Sequence, residues 1–116
     1  MTVADEDAGA ARQVAASCTA WYLCAMGDVY ARFVSEQGYG AAVQAVLAAN
    51  PRPSPQHGVV PAEAQVVLDQ LTAHGTPGQV RDQLEPWDAA VDVVMVGLPP
   101  GLPWDAIEAT LRAAAP

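Results

Sequence analysis

The run Val93-Val94-Met95-Val96-Gly97-Leu98 constrains the fold more than any other stretch of the chain. It is rich in valine and shows no polar alternation, which is the pattern of a strand covered on both faces. Such a strand needs neighbours to satisfy its backbone N–H and C=O groups. No other segment reads convincingly as a strand; His57 to Val60 is the only candidate and is too short. The expected fold is therefore mainly α with one buried β-strand. The partner strands would come from another chain or from sequence upstream of Met1.

The rest of the chain reads as helices. From about Ala10 to Glu36, Val14, Cys18, Trp21, Ala25, Val29 and Phe33 recur at helical spacing, as one long helix or two broken near Gly27-Asp28. Gly38-Tyr39-Gly40 reads as a C-cap and turn, followed by a short helix over about 41–49 with Val43, Val46 and Leu47 on one side. Pro51, Pro53 and Pro55 make 50–58 an extended loop between two helices. A helix from Pro61 to about Ala73 would bury Ala64, Val67, Leu68 and Leu71, with His74 in its last turn. Thr76-Pro77-Gly78-Gln79 is a capping box, with Thr76 at N-cap and Gln79 at N3. It opens a helix expected to bury Val80, Leu84 and Trp87, which Pro86 would kink or end. Pro103 opens a last helix with Trp104, Ile107 and Leu111 on one face.

Thirteen acids against five arginines, with no lysine, give a formal charge of −8. Phosphate-backbone binding needs clustered cations, so nucleic acid and anionic membrane are not expected partners. Met1 is followed by Thr2-Val3-Ala4-Asp5-Glu6-Asp7, without a basic start and apolar run, so no signal peptide is expected. A cytoplasmic protein is the resulting expectation. Cys18 and Cys24 point to different sides of one helix and are expected to be reduced and packed. Exposed apolar surface would also allow a homo-oligomer.

Trp21-Tyr22-Leu23-Cys24-Ala25-Met26-Gly27-Asp28-Val29-Tyr30, then Gln37-Gly38-Tyr39-Gly40, resembles the late helical region of luciferase-like monooxygenases. Val60-Pro61-Ala62-Glu63, His74-Gly75-Thr76-Pro77 with Val80, Ala90-Val91-Asp92 and Val93-Val94-Met95-Val96 continue the resemblance in order, from about Ala11 to Ala115. The nearer branch is that family's deazaflavin-dependent oxidoreductases. Two positions depart from the pattern: Ala90-Val91-Asp92 lacks a glycine, and Gly78 replaces an acid. The resemblance implies the C-terminal fragment of a (β/α)8 TIM-type barrel, with Val93 to Leu98 as the last strand and Pro103 to Ala114 as the last helix. A complete barrel takes about 250 residues, so the first two thirds, roughly, would be missing.

The resemblance also implies a cofactor, coenzyme F420 or alternatively FMN, and a small-molecule substrate in the complete protein. The fragment alone is expected to be inactive, with no catalytic residue and no metal ligand assigned. Barrel active sites lie at the C-terminal ends of strands. At that face the start of the Thr76 helix offers a cofactor-phosphate contact at Gly75 and Thr76, or else is a plain helix cap. His57 and His74 have no metal-ligand spacing, and Ser17 and Ser35 have no triad setting. Asp5-Glu6-Asp7 reads as a solvated terminus, Asp82, Glu85 and Asp88 as the wet side of a helix, and Trp21, Tyr22, Trp87 and Trp104 as core or contact residues. The alternatives to an oxidoreductase segment are a small helical interaction module and a truncated gene product without function.

Overall fold

The computed structural model describes residues 1–88 and 90–115; the side chain of Asp88 lies outside the described residues. The chain divides into two units, one formed by Met1–Ala15 and the residues from Thr72 onward, the other by Ala16–Leu71.

The first unit holds a two-stranded parallel sheet, β1 (Thr2–Ala4) and β2 (Ala73–Gly75), with Val3 opposite His74. The sequence reading placed neither strand: Thr2 to Ala4 was assigned to no element, and His74 was expected as a helix end. Three residues are too few for periodicity to register, and the identity of these strands comes from what covers them. Val3 packs with Ala11, Val14 and Ala15 of helix α1 (Ala8–Ala25). On the other face, Ala4 and Ala73 pack with Val80 and Leu84 of helix α5 (Pro77–Asp88) and Ala113 of helix α6 (Trp104–Ala114). The small side chains of Ala4 and Ala73 let both helices approach the sheet closely.

The expected buried strand at 93–98 is corrected. Val93 is 82 % exposed and Met95 91 % exposed. Val94, Val96 and Leu98 are half-buried, so the run lies with one side against the unit and the other in water. Among the described residues, its one backbone hydrogen bond is from Thr2 N to Gly97 O, at 2.7 Å. The apolar run is long enough for a core strand, but this unit supplies no layer to cover its second face.

That bond belongs to a systematic closure of β1. Peptide groups alternate sides along a strand. Met1 O accepts from Ala73 N and Asp5 N donates to Gly75 O, so these groups face β2. The amides of Thr2 and Ala4 face the opposite edge, and Ala4 N donates to the buried Thr110 Oγ1 at 3.1 Å. Thr110 in turn donates to Ala106 O at 2.8 Å, which fixes the hydroxyl with a lone pair toward the strand. Thr110→Val keeps the shape and removes the acceptor, so chemical denaturation should show a loss of about 2 kcal/mol. Thr110→Ser should keep most of the stability, and equal losses in the two variants would refute the hydrogen-bond account.

The second unit is helical. The C-terminal half of α1, α2 (Asp28–Val34), α3 (Gly40–Ala49) and α4 (Gln65–Leu71) bury Ala16, Ala20, Leu23, Val34, Val43, Val46, Val67 and Leu68. Of the two readings of 10–36, one long helix or two broken near Gly27-Asp28, the chain takes the second, with Gly27 at φ 79°. Gly38 at φ 100° turns the chain within a π-helical stretch before α3. The expected stripe fails beyond Ala25: Val29 and Phe33 are exposed, because the restart at Asp28 resets the helical phase. The fourth helix ends at Leu71, two residues before the expected Ala73, and Ala73 enters β2.

Candidate functional site at the carboxyl end of the sheet

Parallel strands place their C-terminal ends on one side, where helices begin and ligands of α/β proteins commonly bind. Here that side gathers Asp5 and Asp7 after β1 with Gly75 and Thr76 after β2. The pieces are joined directly by the 3.0 Å bond from Asp5 N to Gly75 O. Each turn is shaped by its own side chains. Asp5 Oδ1 accepts from Asp7 N at 2.8 Å, and Asp7 Oδ1 accepts from Gly9 N at 2.8 Å and Ala10 N at 3.3 Å. Asp7 thereby caps α1. Exposure of 5–7 agrees with the sequence reading, and the capping roles are an addition to it.

The capping box at α5 forms as its residues dictate. Thr76 N donates to Gln79 Oε1 at 2.8 Å, and Gln79 N donates to Thr76 Oγ1 at 3.4 Å. Gly75 sits at φ 136°, and a Cβ there would collide with Gln79 Oε1, the capping acceptor. Thr76 is thus at the helix start where the sequence placed it, and Gly75, expected to follow a helix, instead ends β2. The Thr76 amide that a phosphate would need is already given to Gln79. The carboxylates of Asp5 and Asp7 at the same end of the sheet add negative charge. These residues do not by themselves fit a cofactor phosphate.

The other chemistry-bearing side chains assemble no catalytic group among the described residues. Ser17 Oγ donates to Gln56 O and Gly58 O, at 3.2 and 3.3 Å, and Ser35 Oγ donates to Ala31 O at 2.7 Å. His57 is exposed in the proline loop. The ring Nδ1 of His74 lies 2.9 Å from Thr72 Oγ1. Cys18 and Cys24 are free thiols, and burial raises both above the ordinary thiol pKa, which disfavours the nucleophilic thiolate. Among the described residues, no group of three or more His, Cys, Asp or Glu is placed to hold a metal ion, and no helix is long and apolar enough to cross a membrane.

Of the aromatics read as core or contact residues, Trp21 is half-buried, whereas Tyr22, Trp87 and Trp104 are exposed, Trp104 to 72 %. Tyr22 packs edge to face on Tyr30, with ring centroids 5.4 Å apart. The sequence reading missed Thr110 and Gln83, the two side chains that close the sheet edges. Neither belongs to an apolar stripe or a recognisable motif, so pattern alone could not mark them. In comparisons with known proteins, the chain matches no family model, no curated protein and no solved structure.

Proposed function

We propose that the chain is the C-terminal portion of a luciferase-like oxidoreductase, which when complete moves a hydride between a deazaflavin or FMN and a small organic substrate. The reading rests on the ordered motifs from Trp21 to Val96. One structural observation supports it: in the first unit, helices follow extended segments in alternation. β1 leads into α1, β2 into α5 and 93–98 into α6, with β1 and β2 parallel. That order is the grammar of β/α folds. One feature departs from a barrel. Consecutive barrel strands lie side by side, which would put 93–98 against β2, whereas Gly97 meets β1.

The cofactor would supply the hydride chemistry, and a complete protein would hold and orient it. In this chain, the carboxyl end of the sheet contributes two capped helix starts and an acidic rim. Catalysis by the 116 residues alone is not expected. A deazaflavin fluorescence titration of the purified chain should show no saturable binding, and an assay with a reduced deazaflavin no turnover. Turnover by the chain alone would refute its inactivity. Absence of an in-frame or frameshifted barrel-coding stretch directly upstream of Met1 would refute the fragment reading.

A further inference from the structure

The outer edge of β2 is closed in an unusual way. Ala73 N and Gly75 O face β1, so the N–H and C=O of His74 face away from it. Both are taken by one side chain. His74 N donates to Gln83 Oε1 at 3.2 Å, and Gln83 Nε2 donates to His74 O at 2.9 Å. Gln83 Nε2 also donates to Gln79 O one turn back, at 2.9 Å. A carboxamide presents one acceptor and two donors in nearly the geometry of a peptide group. Gln83 therefore stands where the peptide of a neighbouring strand would stand, and these bonds are solvent-exposed.

The same unit carries an apolar run, 93–96, that belongs to no strand or helix. Val93-Val94-Met95-Val96 is uncharged and mostly β-branched, the composition that adds readily to an open sheet edge. Its exposure alternates as a strand's does, with Val93 and Met95 in water and Val94 and Val96 half-buried. Its tether is the Gly97 bond on β1, at the opposite edge of the sheet from His74. It cannot dock on its own β2 without leaving β1, whereas the segment of another molecule can.

We infer that the outer edge of β2 is a strand-docking site for a second copy of this chain, entered by that copy's Val93–Val96 and closed in the monomer by the Gln83 carboxamide. The inference concerns the 116-residue chain itself and does not depend on a parent barrel. Docking swaps the Gln83 bonds for main-chain bonds to His74, and the displaced carboxamide turns to water. The edge spans only Ala73–Gly75, so association is weak while the plug competes.

Sedimentation equilibrium over a concentration series tests this, with circular dichroism as the check on folding. Gln83→Ala removes the competitor, and the dimer dissociation constant should fall about ten-fold, the net worth of one or two exposed hydrogen bonds. Met95→Pro in the Gln83→Ala background should reverse the gain, because proline takes a donor out of the incoming strand. Met95 is 91 % exposed and makes no backbone hydrogen bond among the described residues, so this change leaves the monomer fold intact. A folded Gln83→Ala chain that associates no more tightly than the original overturns the inference. So does a gain that survives Met95→Pro, since the contact would then lie elsewhere. If Gln83→Ala does not fold, Met95→Pro in the original chain decides: association should weaken about ten-fold, and an unchanged constant overturns the proposal.

Discussion

Replacing Asn50 by alanine should lower the unfolding free energy by about 3 kcal/mol, read as a fall in the urea midpoint. Asn50 is buried at the end of α3 and uses both ends of its carboxamide. Its Nδ2 donates to Val46 O and to Val59 O, each at 2.7 Å, and its Oδ1 accepts from Val59 N at 2.8 Å. One side chain thus stops the helix and pins the far end of the proline loop to it. Alanine leaves the buried carbonyl of Val46 without the side-chain donor and releases the part-buried N–H and C=O of Val59, so the cost combines lost solvation at the first with two lost hydrogen bonds at the second. A loss under about 1 kcal/mol would mean that water replaces the carboxamide at low cost.

Gly58→Ala should cost about as much, for a steric reason. The added Cβ would lie 2.8 Å from Ser17 O, 2.9 Å from Ala20 Cβ and 3.0 Å from Ser17 Cα. Two of those atoms are helix backbone, which cannot rotate away, so the loop must lift from α1. Overpacking of this kind costs about 1–3 kcal/mol, and the Ser17 bonds to Gln56 O and Gly58 O weaken with it. The thermal midpoint should fall by roughly 10 °C. Unchanged melting would show that the loop shifts at little cost, which would refute the steric account.

Both effects fall on the proline loop, which the sequence marks only as extended. Three prolines in 51–55 stiffen it and remove donors, but they do not say where it rests. Its seat comes from an asparagine nine residues before Val59 and a serine 41 residues before Gly58, distances no local pattern spans.

The sheet gives the same lesson from the other direction. A strand covered on both faces was expected, and one exists, but it is Thr2–Ala4 rather than 93–98. Valine content marked the longer run because burial is usually achieved with large side chains. In β1 it is achieved with Ala4 and Val3 under close-packed helices, and a short strand of small residues has no signature of its own. At the site, Thr76 was legible because a capping box is chemistry within four consecutive residues. The acidic turn after β1 became part of the same end of the sheet only through the parallel pairing.

The sequence by itself determined the mainly helical character of the chain, the capping box from Thr76 to Gln79 and the stiff loop, because each follows from backbone restriction or from neighbours a few residues apart. Only the tertiary structure decided which segments became strands and that Val93 and Met95 face water. It also decided that Thr110 and Gln83 close the two edges of the sheet. Those outcomes depend on which backbone groups lack a partner once the chain has folded, and partners such as Ala4 and Thr110, 106 residues apart, meet only through the fold.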